Sequence, residues 1–345
     1  PKWAKRAVQR LASKQKPRAV QGEFFPAQFE PSASRGECLD GRMRERLADS
    51  LDYVFGELGS ALGIPADPAR HLTARVRSVP QSPHMFGAYY ELVLAIEADD
   101  MESARQMAAE MLALRDQSGA THVAGIDDRP DDEADRYRRL LLPDLDALPA
   151  DALLMAECRE RIEKAFALLD SGFPEMGAEV RALLREIVVA AGPEDPKALT
   201  FDGASSYMLW GAVLLNARGQ KTVLDTVQAL AHESGHNLLF GFCASGPLVE
   251  NADDELFSSP LRKDARPMDG VFHAAYVDAR MHQTLTRLLD ADVLDPAQVE
   301  AARNDLALHS KNFQSGDQVI REGGRLTNLG RDAIEAARQY MAAAA

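Results

Sequence analysis

Histidine and glutamate residues at metal-binding spacing stand out in the segment Leu230–Asn237. This segment, L-A-H-E-S-G-H-N, contains the pattern H-E-x-x-H, formed by His232, Glu233 and His236. A spacing of four residues places both imidazoles on one face of a helix, one turn apart, where both can reach a single metal ion. Glu233 projects beside them and could accept a proton from a metal-bound water. The pattern therefore predicts a metalloenzyme built on this helix.

The helix that must carry these residues is also predicted by the surrounding sequence. Gly219 breaks the chain, Thr222 is a suitable N-cap, and a helix should run from there to about Phe240. Its buried side would be supplied by apolar residues at helical spacing, namely Val223, Val227, Leu230 and Leu238. This context favours a metal site over the alternative of two surface histidines on an ordinary helix.

A third metal ligand could come from either of two residues. Glu255 follows His236 after 18 intervening residues, a spacing used by gluzincin peptidases, whose third zinc ligand is a glutamate. His273 follows after 36 intervening residues, at the start of another predicted helix. Glu255 could equally be a solvated loop carboxylate, and His273 a hydrogen-bonded core histidine. Spacing alone leaves the two alternatives open.

A longer motif follows the first two histidines, in the segment Ser258–Tyr276. It resembles the pattern S-P-x-R-x-D-x-R-P-x-x-G-x-x-H-x-x-Y of the HExxH-motif peptide-modification proteins. These are the 2-oxoglutarate-dependent HExxH-type peptide β-hydroxylases of bacterial ribosomal peptide natural-product clusters. The resemblance extends over Ala198–Arg280, although Leu261 and Ala265 stand where an aromatic residue and a proline are usual in that pattern.

The resemblance implies a ligand set and a co-substrate site. It implies that His232, His236 and His273 bind a non-heme Fe(II), and that Arg262 and Arg266 bind the distal carboxylate of 2-oxoglutarate. An arginine fork suits a carboxylate, and ligands on one side of the iron leave positions for the 2-oxo acid and O₂. Either arginine could instead pair with an acidic loop residue. Under this interpretation Glu233 would orient a ligand or the substrate rather than activate water.

The sequence therefore predicts an Fe(II)/2-oxoglutarate-dependent dioxygenase that hydroxylates the β-carbon of a residue in a ribosomally synthesised precursor peptide. One alternative is an HExxH zinc metallopeptidase, in which Glu233 activates a zinc-bound water. Another is an inert peptide-binding protein that keeps a structural metal. The third ligand separates the two enzymes, since Glu255 favours the peptidase and His273 the oxygenase.

The amino-acid composition indicates the cellular compartment and the classes of binding partner. Hydrophobic residues make up 46% of the 345 and charged residues 27%, a balance typical of globular proteins. The net charge of −14 disfavours a nucleic-acid partner, although the segment Lys2–Arg18 is basic. The three cysteines form no CxxC pair, which indicates a reducing compartment. We expect a cytoplasmic protein with no membrane partner, because no long apolar run and no signal-peptide core is present.

Hydrophobic periodicity indicates a mainly α fold of the α+β class, with a small β-sheet near a zincin-like HExxH helix. Helical segments are predicted over Met43–Leu62, His84–Ala98, Met101–Arg115, Leu153–Leu169, Met176–Ala191, Val271–Leu289 and Ala297–His309. Short strands are predicted over Ala198–Phe201 and Gly211–Asn216, separated by polar residues 203–206. A charged loop at Asp127–Asp135 suggests a division into an N-terminal helical region, 1–145, with a possible role in peptide recognition, and a metal-binding catalytic region, 146–345.

Overall fold

A computed structural model describes residues 25–114, 119–143, 145–195, 200–258 and 265–344. Within these ranges the chain forms eleven α-helices, one four-stranded sheet and one two-stranded sheet. The mainly helical α+β class predicted from the sequence is confirmed. No helix in the described ranges is long and apolar enough to cross a membrane.

The helices are arranged in three groups along the chain. The first group is α1 (Ala33–Leu62), α2 (Ala66–Ser78), α3 (Pro83–Glu97) and α4 (Met101–Ala113). The second group is α5 (Asp131–Leu141), α6 (Ala152–Gly172), α7 (Pro174–Leu183) and α8 (Val223–Cys243). The third group is α9 (Met268–Asp290), α10 (Pro296–Gly323) and α11 (Asn328–Ala343). Helix α1 ends at Leu62, the predicted end, where Gly63 adopts a left-handed conformation with φ of 71°, and it begins ten residues before the predicted start at Met43.

The larger sheet contains both parallel and antiparallel pairs. Its strands are β1 (His122–Gly125), β2 (Glu186–Ala190), β3 (Gly203–Ser205) and β4 (Ala212–Asn216), in the order β1-β2-β4-β3. Strands β1, β2 and β4 are parallel, and β3 pairs antiparallel with β4 at the edge. A second sheet pairs β5 (Leu256–Phe257) with β6 (Arg266–Pro267).

Apolar residues cover both faces of the two central strands, and every residue of β2 and β4 is buried. Ile187 and Val213 point into the main core, whereas Val188 and Leu214 point into a smaller core on the opposite face. Alternate side chains of a strand point to opposite faces, so burial on both sides requires a continuous apolar run.

Helix α8, which carries H-E-x-x-H, packs in the main core through Val227, Leu230 and Leu238. Thr222 is its N-cap and forms a capping box with Asp225, which satisfies backbone N–H groups of the first turn. The predicted cap and helix are confirmed, and the helix continues three residues beyond Phe240.

Two secondary-structure predictions are wrong in part. Met176–Ala191 is a helix only as far as Leu183, because the β-branched run Ile187–Val189 enters the sheet as part of β2. The strand predicted over Ala198–Phe201 is not formed at 200–201, and its first two residues lie outside the described ranges. The strand lies instead at β3, in residues interpreted as a polar connection.

The predicted charged loop at Asp127–Asp135 is also partly wrong, because α5 begins at Asp131, directly after Pro130. Three acidic residues in its first turn favour a helix start. Strand β1 lies before residue 145 and pairs with β2 beyond it, so one sheet draws on both predicted regions.

Candidate metal centre

Three histidines from two helices meet beside the sheet. His232 and His236 lie one turn apart on α8, and His273 lies near the start of α9, which packs against α8. Nε2 of His236 lies 3.0 Å from Nε2 of His232, and Nδ1 of His236 lies 3.0 Å from Nδ1 of His273. These three side chains are called the histidine cluster below.

The two contacts of His236 use its two different ring nitrogens. A neutral imidazole has one N–H and one lone pair, so His236 can donate to one neighbour and accept from the other. The histidine cluster is therefore a hydrogen-bonded row with His236 in the middle. Within the described ranges no three His, Cys, Asp or Glu side chains are arranged as a ready metal-binding group, which fits this row-like geometry.

Burial keeps two members of the histidine cluster neutral. Desolvation lowers the pKa of His232 to about 4, with the charge of Asp278 acting in the opposite direction. Desolvation also holds the pKa of His236 well below its usual range, and the neighbouring His232 and His273 act in the same direction. Neutral imidazole is the form that binds metal ions, so His232 and His236 are already in the ligand state at neutral pH.

Phe240 closes one side of the histidine cluster. Its ring stacks on His236 with centroids 6.4 Å apart, and it lies 5.4 Å from the ring of His273. Phe240 is one turn beyond His236 on α8, so the same helical face that presents the histidines also presents an apolar wall.

Glu233 projects from α8 towards the edge strand β3. A Cβ atom at Gly203 would lie 2.5 Å from Oε1 of Glu233, so only glycine lets this carboxylate approach the strand so closely. Burial raises the pKa of Glu233 to about 8, although a hydrogen bond from Ser205 favours the charged form. The other carboxylate oxygen, Oε2, is buried and has no hydrogen-bond partner within the described ranges. Glu233 is thus a proton-holding group next to the histidine cluster.

A buried chain of polar groups lies behind His232, and sequence reasoning missed it. His309 Nδ1 lies 2.8 Å from Oδ1 of Asp278, and His309 Nε2 lies 2.8 Å from Oε1 of Gln228. The amide nitrogen of Gln228 donates to Asp305, which fixes the orientation of the amide. Each ring nitrogen of His309 therefore contacts a side-chain oxygen, one from Asp278 and one from Gln228. The sequence does contain one sign of this chain of polar groups: Gln228 lies four residues before His232, so both side chains lie on the same face of α8.

The two arginines predicted to bind a carboxylate have different outcomes. Arg266 is half-buried in β6, close enough for its charge to contribute to the lowered pKa of His236, after desolvation and the two histidines. Arg262 lies outside the described residues. The structure thus places one of the two predicted cations beside the histidine cluster.

Glu255, the alternative third ligand, is held by another residue. Its Oε1 and Oε2 accept hydrogen bonds from the two terminal nitrogens of Arg325, at 3.1 Å and 2.7 Å. The hydrogen bond from Arg325 is the main reason that the pKa of Glu255 is lowered. Of the two alternatives, His273 is the residue that contacts His236.

A cavity of about 600 Å³ opens beside β3, at the carboxyl ends of β2 and β4. Asp202, which immediately precedes β3, lines it together with Asn216 and Lys221. The charge of Asp202 also acts on the pKa values of His232 and Glu233. Crevices at the carboxyl ends of parallel strands commonly bind ligands, and Asp202 links this one electrostatically to His232.

Neither a scan of protein-family models nor a search of curated proteins returned a match to this chain.

Proposed function

We propose that this chain is a non-heme Fe(II)/2-oxoglutarate-dependent oxygenase that hydroxylates a β-carbon in a ribosomally synthesised precursor peptide. The observation that carries the proposal is the convergence of His273 on His236 and His232, with ring nitrogens 3.0 Å apart at both contacts. The resemblance of the segment Ser258–Tyr276 to peptide β-hydroxylases supports the same function.

The side chains of the histidine cluster are of a type that binds transition-metal ions. His232, His236 and His273 would hold such an ion, because imidazole nitrogens suit iron as well as zinc. When bound, Fe(II) supplies the redox chemistry that couples O₂ and 2-oxoglutarate to hydroxylation. Asp278 would act on His232 through its negative charge, which favours a more basic imidazole.

Arg266 would bind the distal carboxylate of 2-oxoglutarate. It lies at the base of α9, seven residues before His273, and its charge acts on His236. A guanidinium can form two parallel hydrogen bonds with a carboxylate, which fixes the direction of the co-substrate. Arg262 remains a second candidate for this role.

The outer edge of β3 would bind the peptide in an extended conformation. Asn216 N donates to Asp202 O, so Asp202–Asn216 and Ala204–Leu214 are the hydrogen-bonded pairs with β4. Gly203 and Ser205 consequently direct their backbone N–H and C=O groups away from β4. In the described part of the chain, no strand pairs with this edge. A substrate strand added there would pass beside Glu233.

Glu233 also supports a second candidate function, that of a zinc metallopeptidase. A buried glutamate one residue from His232 could, once ionised, take a proton from a metal-bound water, and its raised pKa would make it a strong base in that form. Against this candidate, Glu255 is engaged by Arg325 rather than directed at the histidines. In the oxygenase, Glu233 would hold the peptide or orient it.

Anaerobic reconstitution with Fe(II) and 2-oxoglutarate tests the proposal. We expect a weak visible charge-transfer band, and then formation of succinate in air that increases when the precursor peptide encoded nearby is added. His232→Ala should abolish both signals, because it removes a ligand. Peptide hydrolysis supported by zinc, with no band in the presence of iron, would instead establish the peptidase.

A further inference from the structure

A second buried polar group of residues lies further along α9, away from the histidine cluster. Glu179 of α7 accepts from Arg35 of α1 at 2.7 Å and from Arg280 of α9 at 2.6 Å. All three side chains are completely buried. Tyr276 and Gln283 lie on the same face of α9 and are also fully buried. These five residues are called the arginine cluster.

The arginine cluster has an excess of one positive charge. Two guanidiniums, which remain protonated in proteins, share the single carboxylate of Glu179. Among the described residues their other contacts are uncharged: Arg35 donates to the carbonyl of Gln28, and Arg280 donates to the sulfur of Met176. A buried charge without a counterion costs several kcal/mol, so this excess requires compensation.

Several hydrogen-bonding groups of the arginine cluster have no hydrogen-bond partner in the part of the chain that the structure describes. They are Nε and Nη1 of Arg280, the hydroxyl of Tyr276, and both amide atoms of Gln283. Tyr276 lies close enough to Arg35 and Arg280 for their charges to act on its pKa, which desolvation raises. Its hydroxyl therefore stays protonated and can donate but cannot supply the negative charge. Buried polar atoms in native proteins almost always have partners.

We propose that the arginine cluster binds a small monovalent inorganic anion, chloride in the cell, through donors of Arg280, Tyr276 and Gln283. A water molecule could accept these hydrogen bonds but would leave the positive charge uncompensated. A phosphate or carboxylate ligand would need a path to residues that have no exposed surface. The ion would be enclosed during folding and would fix α9 against α1 and α7. This inference does not depend on the bound metal or on the proposed reaction.

The test compares thermal unfolding of the metal-free protein, refolded in sodium chloride or in sodium gluconate at equal ionic strength. An ion that binds only the folded state raises the midpoint progressively with its concentration. We expect chloride and bromide to raise the midpoint and gluconate to have no effect. Crystals grown in bromide should give an anomalous peak within hydrogen-bond distance of Arg280 and Tyr276.

Tyr276→Phe removes one donor and keeps the ring. We expect it to raise the chloride concentration of half-maximal effect by about 10- to 100-fold, as for loss of a hydrogen bond to a charged group. Tyr340→Phe is the control, because the hydroxyl of Tyr340 bonds to His282 instead. Equal midpoints in chloride and gluconate would overturn the proposal, as would a bromide peak found only elsewhere. If Tyr276→Phe fails to fold, the bromide experiment on the unaltered protein still shows whether an anion binds at the arginine cluster.

Discussion

Helix α9 contributes side chains to two polar regions that differ in charge. In the histidine cluster His273 is buried and His232 and His236 are half-buried, and desolvation lowers the pKa values of the latter two, so these two side chains are neutral. The arginine cluster is completely covered, and its guanidiniums keep their charge. Neutral lone pairs are ready to bind a cation, whereas fixed positive charges demand an anion. The first region is therefore suited to reversible binding and the second to stability.

The largest effect is expected at the third ligand. We predict that His273→Ala abolishes stoichiometric metal binding, because it removes the imidazole that contacts His236. Glu255→Ala is the matched control and should keep its metal content, since Glu255 is bound to Arg325. Elemental analysis of the two purified variants makes the comparison. A metal-free Glu255→Ala beside a metal-loaded His273→Ala would refute the oxygenase assignment.

The next effect concerns the stability supplied by the arginine cluster. Glu179→Gln leaves Arg35 and Arg280 without their carboxylate, and it should lower the free energy of unfolding by about 3–5 kcal/mol. Glu255→Gln removes a carboxylate from an exposed ion pair and should leave that free energy unchanged. Denaturant unfolding of the metal-free proteins measures both. Equal effects of the two substitutions would show that the buried carboxylate of Glu179 contributes no more to stability than an exposed carboxylate does.

A smaller effect is expected at the cation beside the histidine cluster. Arg266→Ala should raise the 2-oxoglutarate requirement by tens- to hundreds-fold, equivalent to about 2–4 kcal/mol, with iron content unchanged. Arg266→Lys should have a 2-oxoglutarate requirement between those of the unaltered protein and Arg266→Ala, because lysine keeps the charge but cannot form two parallel hydrogen bonds with a carboxylate. Succinate formation at varied 2-oxoglutarate concentration measures the requirement of each variant. An unaltered requirement in both variants would show that another group binds the co-substrate.

The smallest effect is a pH dependence at Glu233 in the metal-free protein. Its pKa is raised from 4.5 to about 8, so the folded state favours the protonated form. This stabilisation is complete below pH 4.5 and is lost as pH rises through 8. Glu233→Gln cannot ionise, so its advantage in unfolding free energy over the unaltered protein should grow by about 2 kcal/mol between pH 6 and 8. A constant difference across that range would mean that Glu233 is already charged.

Local signals in the sequence were sufficient for the helix of the histidine cluster but not for the sheet. Thr222 and the spacing of His232 and His236 are local, and the cap and helix they predicted are confirmed. The four residues of β1 became a strand only by pairing with β2, which lies about sixty positions later, and no local pattern reports such a partner. The apolar Ile187–Val189 run could be read as a buried helix or a buried strand, and its β-branched residues were the overlooked signal.

Residues of the candidate site could be predicted from the sequence where they lie on one helix at regular spacing. Contacts between helices could not be predicted, as with the Asp278–His309 pair, whose members lie on α9 and α10. The arginine cluster brings together residues from α1, α7 and α9, and nothing at Arg35 or Glu179 alone indicates a partner more than one hundred positions away. The metal, the co-substrate and the peptide remain predictions.

The packing of α1 has a consequence for synthesis on the ribosome. A Cβ atom at Gly36 would lie 2.7 Å from that of Ala182 in α7, and a Cβ atom at Gly241 in α8 would lie 3.1 Å from Cδ1 of Leu39. Helix α1 is complete long before these two partner helices are made, because both follow it by more than one hundred positions. At about 5–20 residues per second, the apolar face of α1 waits roughly 10–40 seconds for α8 to emerge. During that interval the nascent chain exposes an aggregation-prone surface, so we expect its yield to depend on chaperones and on growth temperature.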